Sequence, residues 1–201
     1  MRSSRLHGTA AILGTALFIA STFFSLNSKS QTNYNNNGVA RILIEGTSNI
    51  HDWEMESGQG KSTATVTLNP AGTMTALNNL SFEMAVQGLK SGKGSMDDNT
   101  YKAMKEKQFP TIHYTAASGT VKGNGGNSYT VTTNGKLTIA GTTRDVTLVG
   151  AATLNADKSL TVSGTYKLQM TDYNVTPPSI MFGTIKVGPP ITVKFTLTMK
   201  P

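Results

Sequence analysis

Long stretches of the chain alternate apolar and polar residues one by one, which places the apolar set on a single face of an extended strand. In LSFEMAVQG, Leu80, Phe82, Met84 and Val86 share one face, and Ser81, Glu83 and Gln87 the other. In LTVSGTYKLQM, Leu160, Val162, Tyr166, Leu168 and Met170 oppose Thr161, Ser163, Thr165, Lys167 and Gln169. In ITVKFTLTMK, Ile191, Val193, Phe195, Leu197 and Met199 oppose Thr192, Lys194, Thr196, Thr198 and Lys200. Shorter alternations run through Ala64-Val66-Leu68, Ile112-Tyr114-Ala116, Leu137-Ile139 and Val146-Leu148. Turn-forming clusters separate these runs, among them Asn69-Pro70-Ala71-Gly72, Gly123 to Asn127, and Asn155-Ala156-Asp157. The pattern predicts an all-β domain of about eight strands with short connections, an antiparallel sandwich or barrel. Asn134-Gly135 fits either a tight hairpin turn or a bulge inside a long strand.

Two segments break the alternation. DDNTYKAMKEK, Asp97 to Lys107, predicts one short helix capped by Asp97 or Asp98 and stopped by Phe109-Pro110, with Tyr101 and Met104 on the face toward the sheet. Asp172 to Pro190, bracketed by Pro177-Pro178 and Pro189-Pro190, predicts a long capping loop whose Ile180, Met181, Phe182 and Ile185 need burial against something. The alternation does not fix which face lies inside. An outer-membrane barrel would carry aromatic girdles at both rims. The strand ends here have few aromatics, so the apolar face is expected inward.

The N-terminus has a different pattern. Arg2, Arg5 and His7 precede an uncharged run from Gly8 to Asn27, followed by Ser28-Lys29-Ser30. That order reads as a secretory signal peptide over residues 1–30, cut near Ser30; the alternative is an uncleaved anchor. Export to the periplasm or the cell exterior follows. The Asn-rich residues 31–38 are expected to be a disordered leader, and 39–201 the barrel domain. Among the 201 residues there are 30 Thr, which suit a pleated surface, and no Cys. The missing Cys excludes disulfides, thiol nucleophiles and thiolate metal sites. Removing Arg2, Arg5 and Lys29 leaves 15 Lys and Arg against 11 Asp and Glu, scattered and without interleaved aromatics, so nucleic acid is not an expected partner.

Candidate chemistry centres on GTSNIHDW, Gly46 to Trp53, where Ser48, His51 and Asp52 adjoin the single Trp. Neighbours on a regular strand point to opposite faces, so Asp52 is badly placed to orient His51 in a Ser-His-Asp relay. Only His51 and His113 lie beyond the signal segment, without metal-ligand spacing. Ser48 or Asn49 is expected to make a turn, with His51 and Asp52 bonded to local backbone and Trp53 and Met55 facing the core.

Four segments in order carry a family resemblance: GTSNIHDW, Met96 to Ala116, Gly135 to Leu148, and SGTYKLQMTDYNVTPP with MFGTIKVGPPITVKFTL. Together, over about residues 39–199, they resemble the YceI-like family of exported lipid-binding proteins, the opening being similar to a Bacteroidetes-type branch. The resemblance implies an eight-stranded antiparallel lipocalin-like barrel whose apolar interior holds a polyisoprenoid or similar amphiphile. It also implies that Gly135 is a bulge. Better-known members have a His-Leu-Gly-like segment where this chain has His51-Asp52-Trp53. The implied function is non-enzymatic binding, transport or storage of a lipid, with no cofactor beyond a bound isoprenoid or quinone-like molecule and with peripheral membrane contact for lipid exchange. Trp53, Phe82, Met84, Val86, Tyr114, Tyr166, Leu168, Phe182, Ile185, Val193, Phe195 and Leu197 are the expected lining. His51, Tyr101, Met104, His113 and Arg144 are the expected mouth or head-group contacts. Two alternatives stay open: a small hydrolase or isomerase using His51 and Asp52, and a filled-core stress or interaction protein.

Overall fold

The computed structural model describes residues 29–201, so the expected signal peptide, residues 1–30, lies outside the described residues except for its last two. The strands are β1 (Ser30–Asn35), β2 (Val39–Ser48), β3 (Asp52–Gln59), β4 (Lys61–Leu68), β5 (Met74–Ala85), β6 (Thr111–Gly125), β7 (Ser128–Ile139), β8 (Thr142–Leu154), β9 (Leu160–Gln169), β10 (Ser179–Ile180) and β11 (Ile185–Met199), with one helix, α1 (Gly94–Ala103). All pair antiparallel in the order β1-β4-β5-β6-β7-β8-β9-β11-β2-β3, with β10 on β11. The sheet curls into a lipocalin-like barrel.

Eleven strands stand where eight were expected, for a simple reason. Two of the eight long segments are kinked, at residues 36–38 and at Gly60, so each counts as two strands, and β10 is a two-residue addition. The two kinked segments stay paired with each other on both sides of the kinks, β1 with β4 and β2 with β3; what changes is the outer neighbour, β11 for β2 and β5 for β4. One side chain fastens both kinks. Asn36, 5% exposed, donates through Nδ2 to Val39 O (2.7 Å) and Gly60 O (2.7 Å), and its Oδ1 accepts from Gly38 N (3.1 Å) and Ser62 N (2.8 Å). Buried backbone groups freed where a ladder breaks need such partners.

Residues 31–38 are therefore not a disordered leader. Ser30 to Asn35 pair with Leu68 to Thr63, and Tyr34, 2% exposed, plugs one end of the barrel with its hydroxyl donating to Lys158 O (3.0 Å). Around it Val66, Leu77, Tyr129, Leu160 and Met199 seal that end. The strand order ends in two free edges, β1 and β3. That of β3 is bridged at one place to the segment after β5, where Glu56 and Lys90 exchange two backbone bonds of 2.8 Å, and that of β1 meets the end of β11 through Asn35 and Lys200 (2.9 and 2.7 Å).

Three further expectations are corrected. Gly135 is neither a hairpin turn nor the bulged residue: β7 pairs with β8 without interruption through Asn134 and Gly135, and the extra residue sits opposite, on β6 between Thr115 and Gly119. The helix begins earlier than Asp97 and ends at Ala103, where Lys105 (φ +53°) turns the chain out of it, and its N-cap Lys93 makes no side-chain cap. Asp97 lies inside the first turn instead and accepts from Ser91 N (2.8 Å) and Ser91 Oγ (2.7 Å). The long capping loop is largely a hairpin, with Ile180 opposite Ile185 and Ser179 opposite Lys186. Its tip does not bury: Met181 and Phe182 are exposed, both with φ in the left-handed region (+53° and +56°), which costs about 1–2 kcal/mol for each side-chain-bearing residue. Among the described residues no helix is long and apolar enough to cross a membrane.

Candidate functional site

The inward apolar rows enclose a cavity of about 400 Å³ that runs from the sealed end, at Leu77 and Met199, to a mouth beside α1. Ten of the twelve expected lining residues border it: Trp53, Phe82, Met84, Tyr114, Tyr166, Leu168, Ile185, Val193, Phe195 and Leu197. Val86 does not. β5 gives way after Ala85 to a short 3₁₀ turn, and Val86, fully buried, packs in the wall. Phe182 points into solvent. The lining also takes Ile42 and Ile44 of β2, whose alternation in ARILIEG was legible but passed over, and Met96 and Tyr173, which no periodicity marks.

Four glycines explain why a barrel with so many aromatics has space in it. Gly46 faces the Trp53 ring, Gly60 that of Phe82, Gly135 that of Tyr114 and Gly164 that of Phe195; a methyl group on any of them would lie closer than 3.0 Å to the ring. Gly46 pairs directly with Trp53, and Gly164 with Phe195. With no Cβ beneath them the rings lie along the wall instead of standing across the lumen, the pairing of aromatic and glycine that also stabilises strands.

The lumen carries hydroxyls but no charge. Burial, with Tyr166 adding to it, pushes the Tyr173 hydroxyl up to about 12. Burial also raises that of Tyr114, although the 2.7 Å bond to Thr133 Oγ1 works the other way. Both stay neutral at any physiological pH, and the rest of the inner wall is aliphatic or aromatic.

The mouth is built from three pieces: the β2–β3 turn, the start of α1 (Lys93, Ser95, Met96, Asn99) and the hairpin of β10 and β11. Ser48 Oγ donates to His51 O (2.8 Å) and accepts from His51 N (3.2 Å), which makes the expected turn. Asn49 ties that turn to the hairpin: its Nδ2 donates to Thr184 O (2.9 Å) and its Oδ1 accepts from Lys186 N (2.7 Å). Trp53 Nε1 donates to Thr47 O (3.0 Å). His51 borders the mouth, but its Nδ1 meets the backbone oxygen of Asp52 (2.8 Å), and Ser48 Oγ engages its main chain, not its ring, so these three residues do not assemble a relay. Met104 lines the cavity.

Three expected mouth residues lie elsewhere. Tyr101 turns away, its hydroxyl donating to Leu89 O (2.8 Å) and accepting from Lys90 Nζ (2.7 Å). His113 is on the outer face, with Nδ1 3.3 Å from Glu83 and Nε2 against Thr111 Oγ1. Arg144 does not border the cavity either: it lies exposed near the start of β8, on the row of Leu137 and Val146, donating from Nε to Asp172 O (2.8 Å). Among the described residues no three His, Asp or Glu come together to hold a metal ion.

Asp97 anchors the helix beside the mouth. The two Ser91 bonds, with Lys90 Nζ at 3.8 Å, hold its carboxyl below the ordinary carboxylate range. A depressed pKa contributes stability that is complete above the unfolded-state value and is lost as pH falls through the folded-state value. Acid melts are therefore expected to show Asp97→Asn less stable than the parent near neutrality, with the two converging as pH falls through the lowered folded-state value. Parallel curves down to acid pH would contradict this.

An all-antiparallel barrel around an apolar, uncharged cavity with one rimmed mouth is a lipocalin-like binding barrel. The chain belongs to the YceI-like family, whose YceI-like domain pattern matches residues 27–199. The crystal structure of Burkholderia cenocepacia BcnA shares the fold, with a TM-score of 0.60 at 20% identity over 81% of this chain and 96% of that one. So does a polyisoprenoid binding domain from Saccharophagus degradans implicated in plant cell wall breakdown, with a TM-score of 0.60 at 9% identity over 83% and 97%. No curated protein sequence is similar enough to count as a match.

Proposed function

We propose that this protein binds a long neutral lipid, a polyisoprenoid or a similar amphiphile, in the barrel lumen, and that it carries or stores that lipid outside the cytoplasm without transforming it. The observation that carries this reading is the cavity itself. Its volume falls in the range of roughly 300–1,000 Å³ typical of ligand pockets, and its wall is apolar with neutral hydroxyls. Burial of the ligand drives binding at about 25 cal/mol per Å² of apolar surface. Ordering a flexible chain offsets part of that. The Saccharophagus degradans relative, a polyisoprenoid binding domain, supports the ligand class. The basic, then apolar N-terminus supports export.

Native mass spectrometry of the purified protein, followed by organic extraction, tests the reading. A one-to-one complex that releases an isoprenoid or quinone-like lipid is expected. A clean ligand-free mass that stays unchanged after incubation with polyisoprenoids would overturn it.

A further inference from the structure

We propose that the tip of the β10–β11 hairpin inserts into a lipid bilayer surface and holds the mouth of the cavity against it, so that a lipid passes between bilayer and lumen without crossing water. This rests on the lumen binding a lipid, as proposed above.

Two independent observations meet at the tip. Met181 and Phe182 are 68% and 111% exposed, large apolar side chains held out into solvent. Both also sit at φ near +55°, where Asn and Gly are the usual residues of a hairpin turn and where bulky side chains are disfavoured. A folded chain gains nothing internally from either feature. Strain combined with exposed apolar surface points to an external contact.

Position and charge say which contact. The described residues have five exposed large apolar side chains, and three of them are at this rim: Met181, Phe182 and Ile50, the last on the turn that Asn49 ties to the hairpin. Lys186 lies in the hairpin itself, four residues from Phe182, while the groove beside the mouth is mixed in charge, with Lys93 and Lys167 against Glu45, Asp52, Glu54 and Asp172. An apolar tip with a lysine in its own hairpin suits a bilayer surface, where acyl chains take the tip and a lipid phosphate the Lys186 ammonium group. The tip is convex, so it suits a fluid surface that closes around it.

The chain has no cysteine, so single probes can be placed in full-length protein as Thr184→Cys, beside the tip, and Ala156→Cys, in the β8–β9 turn at the sealed end. Each carries an environment-sensitive fluorophore. The probe surface is vesicles of phosphatidylethanolamine and phosphatidylglycerol containing nitroxide-labelled lipid. Quenching several-fold stronger at position 184 than at 156 is expected. In a Met181→Asn/Phe182→Gly background, whose residues fit the backbone, the difference is expected to vanish while the melting temperature holds or rises. Equal quenching at both positions in the parent overturns the proposal, as does unchanged quenching in the double variant. It is also overturned if the position-184 probe is buried without vesicles and the mass in solution doubles, which makes the tip a contact between two copies. Tip-specific quenching in a protein whose lumen never yields lipid upholds docking and overturns the lumen reading.

Discussion

Asn36→Ala is expected to destabilise the protein by about 4 kcal/mol, with a fall in melting temperature of about 10 °C for a domain of this size. Four hydrogen bonds converge on this one amide, from Val39, Gly60, Gly38 and Ser62. Alanine removes them all. It leaves backbone groups at both kinks without partners, each costing about 1–3 kcal/mol when water cannot replace the bond. Because the kinks let β1 plug the sealed end while β2 pairs with β11, loosening them also unseats Tyr34. Asn36→Asp sharpens the test. It keeps the acceptor for Ser62 N and Gly38 N but turns the donor into an oxygen facing two carbonyls, so it is expected to be at least as damaging. Thermal melts of the two variants check this, and a loss under about 1 kcal/mol for both would show that the kinks hold without the amide.

Val193→Trp is expected to abolish lipid binding, by 100-fold or more, while the fold keeps or gains stability. Val193 lies midway along β11, between Ile44 and Tyr166 on the neighbouring strands, and borders the cavity. In a filled core such an insertion costs about 1–3 kcal/mol of overpacking. In a hollow lumen the indole takes space the ligand would use. A 100-fold loss of affinity corresponds to about 2.7 kcal/mol. The measurements are a thermal melt and a titration with a fluorescent polyisoprenoid analogue. Unchanged affinity would mean that the ligand does not occupy this part of the lumen. A melting temperature lowered by several degrees would favour a filled-core protein.

β5, β9 and β11 were legible from their side-chain rows, and those rows supply most of the lumen wall. Alternation already puts His113 on the outer face, between the inward Ile112 and Tyr114, so its place outside was legible; what alternation never gives is height along the barrel, and that is why Arg144, on the row of Val146, was expected to reach the cavity mouth and does not border it. The Asn-rich segment looked featureless because the value of Asn36 lies in partners 24 and 26 residues away, at Gly60 and Ser62. The hollow lumen was equally hidden. It depends on which glycine faces which ring across strands, a matter of register that one strand's pattern does not contain. The hairpin of Met181 and Phe182 was read as a loop because Met-Phe is not a turn signal.

The open edge of the sheet has a colloidal meaning. β3 offers unpaired backbone groups along most of its length, and an exposed edge of this kind invites a second copy to add its own strand. The residues that point outward from it alternate as Asp52, Glu54 and Glu56, all exposed. Two such edges brought together antiparallel would set a row of carboxylates against its own mirror image, and like charges facing each other across strands repel. The edge is its own repellent: its carboxylates work against a second copy adding a strand along β3.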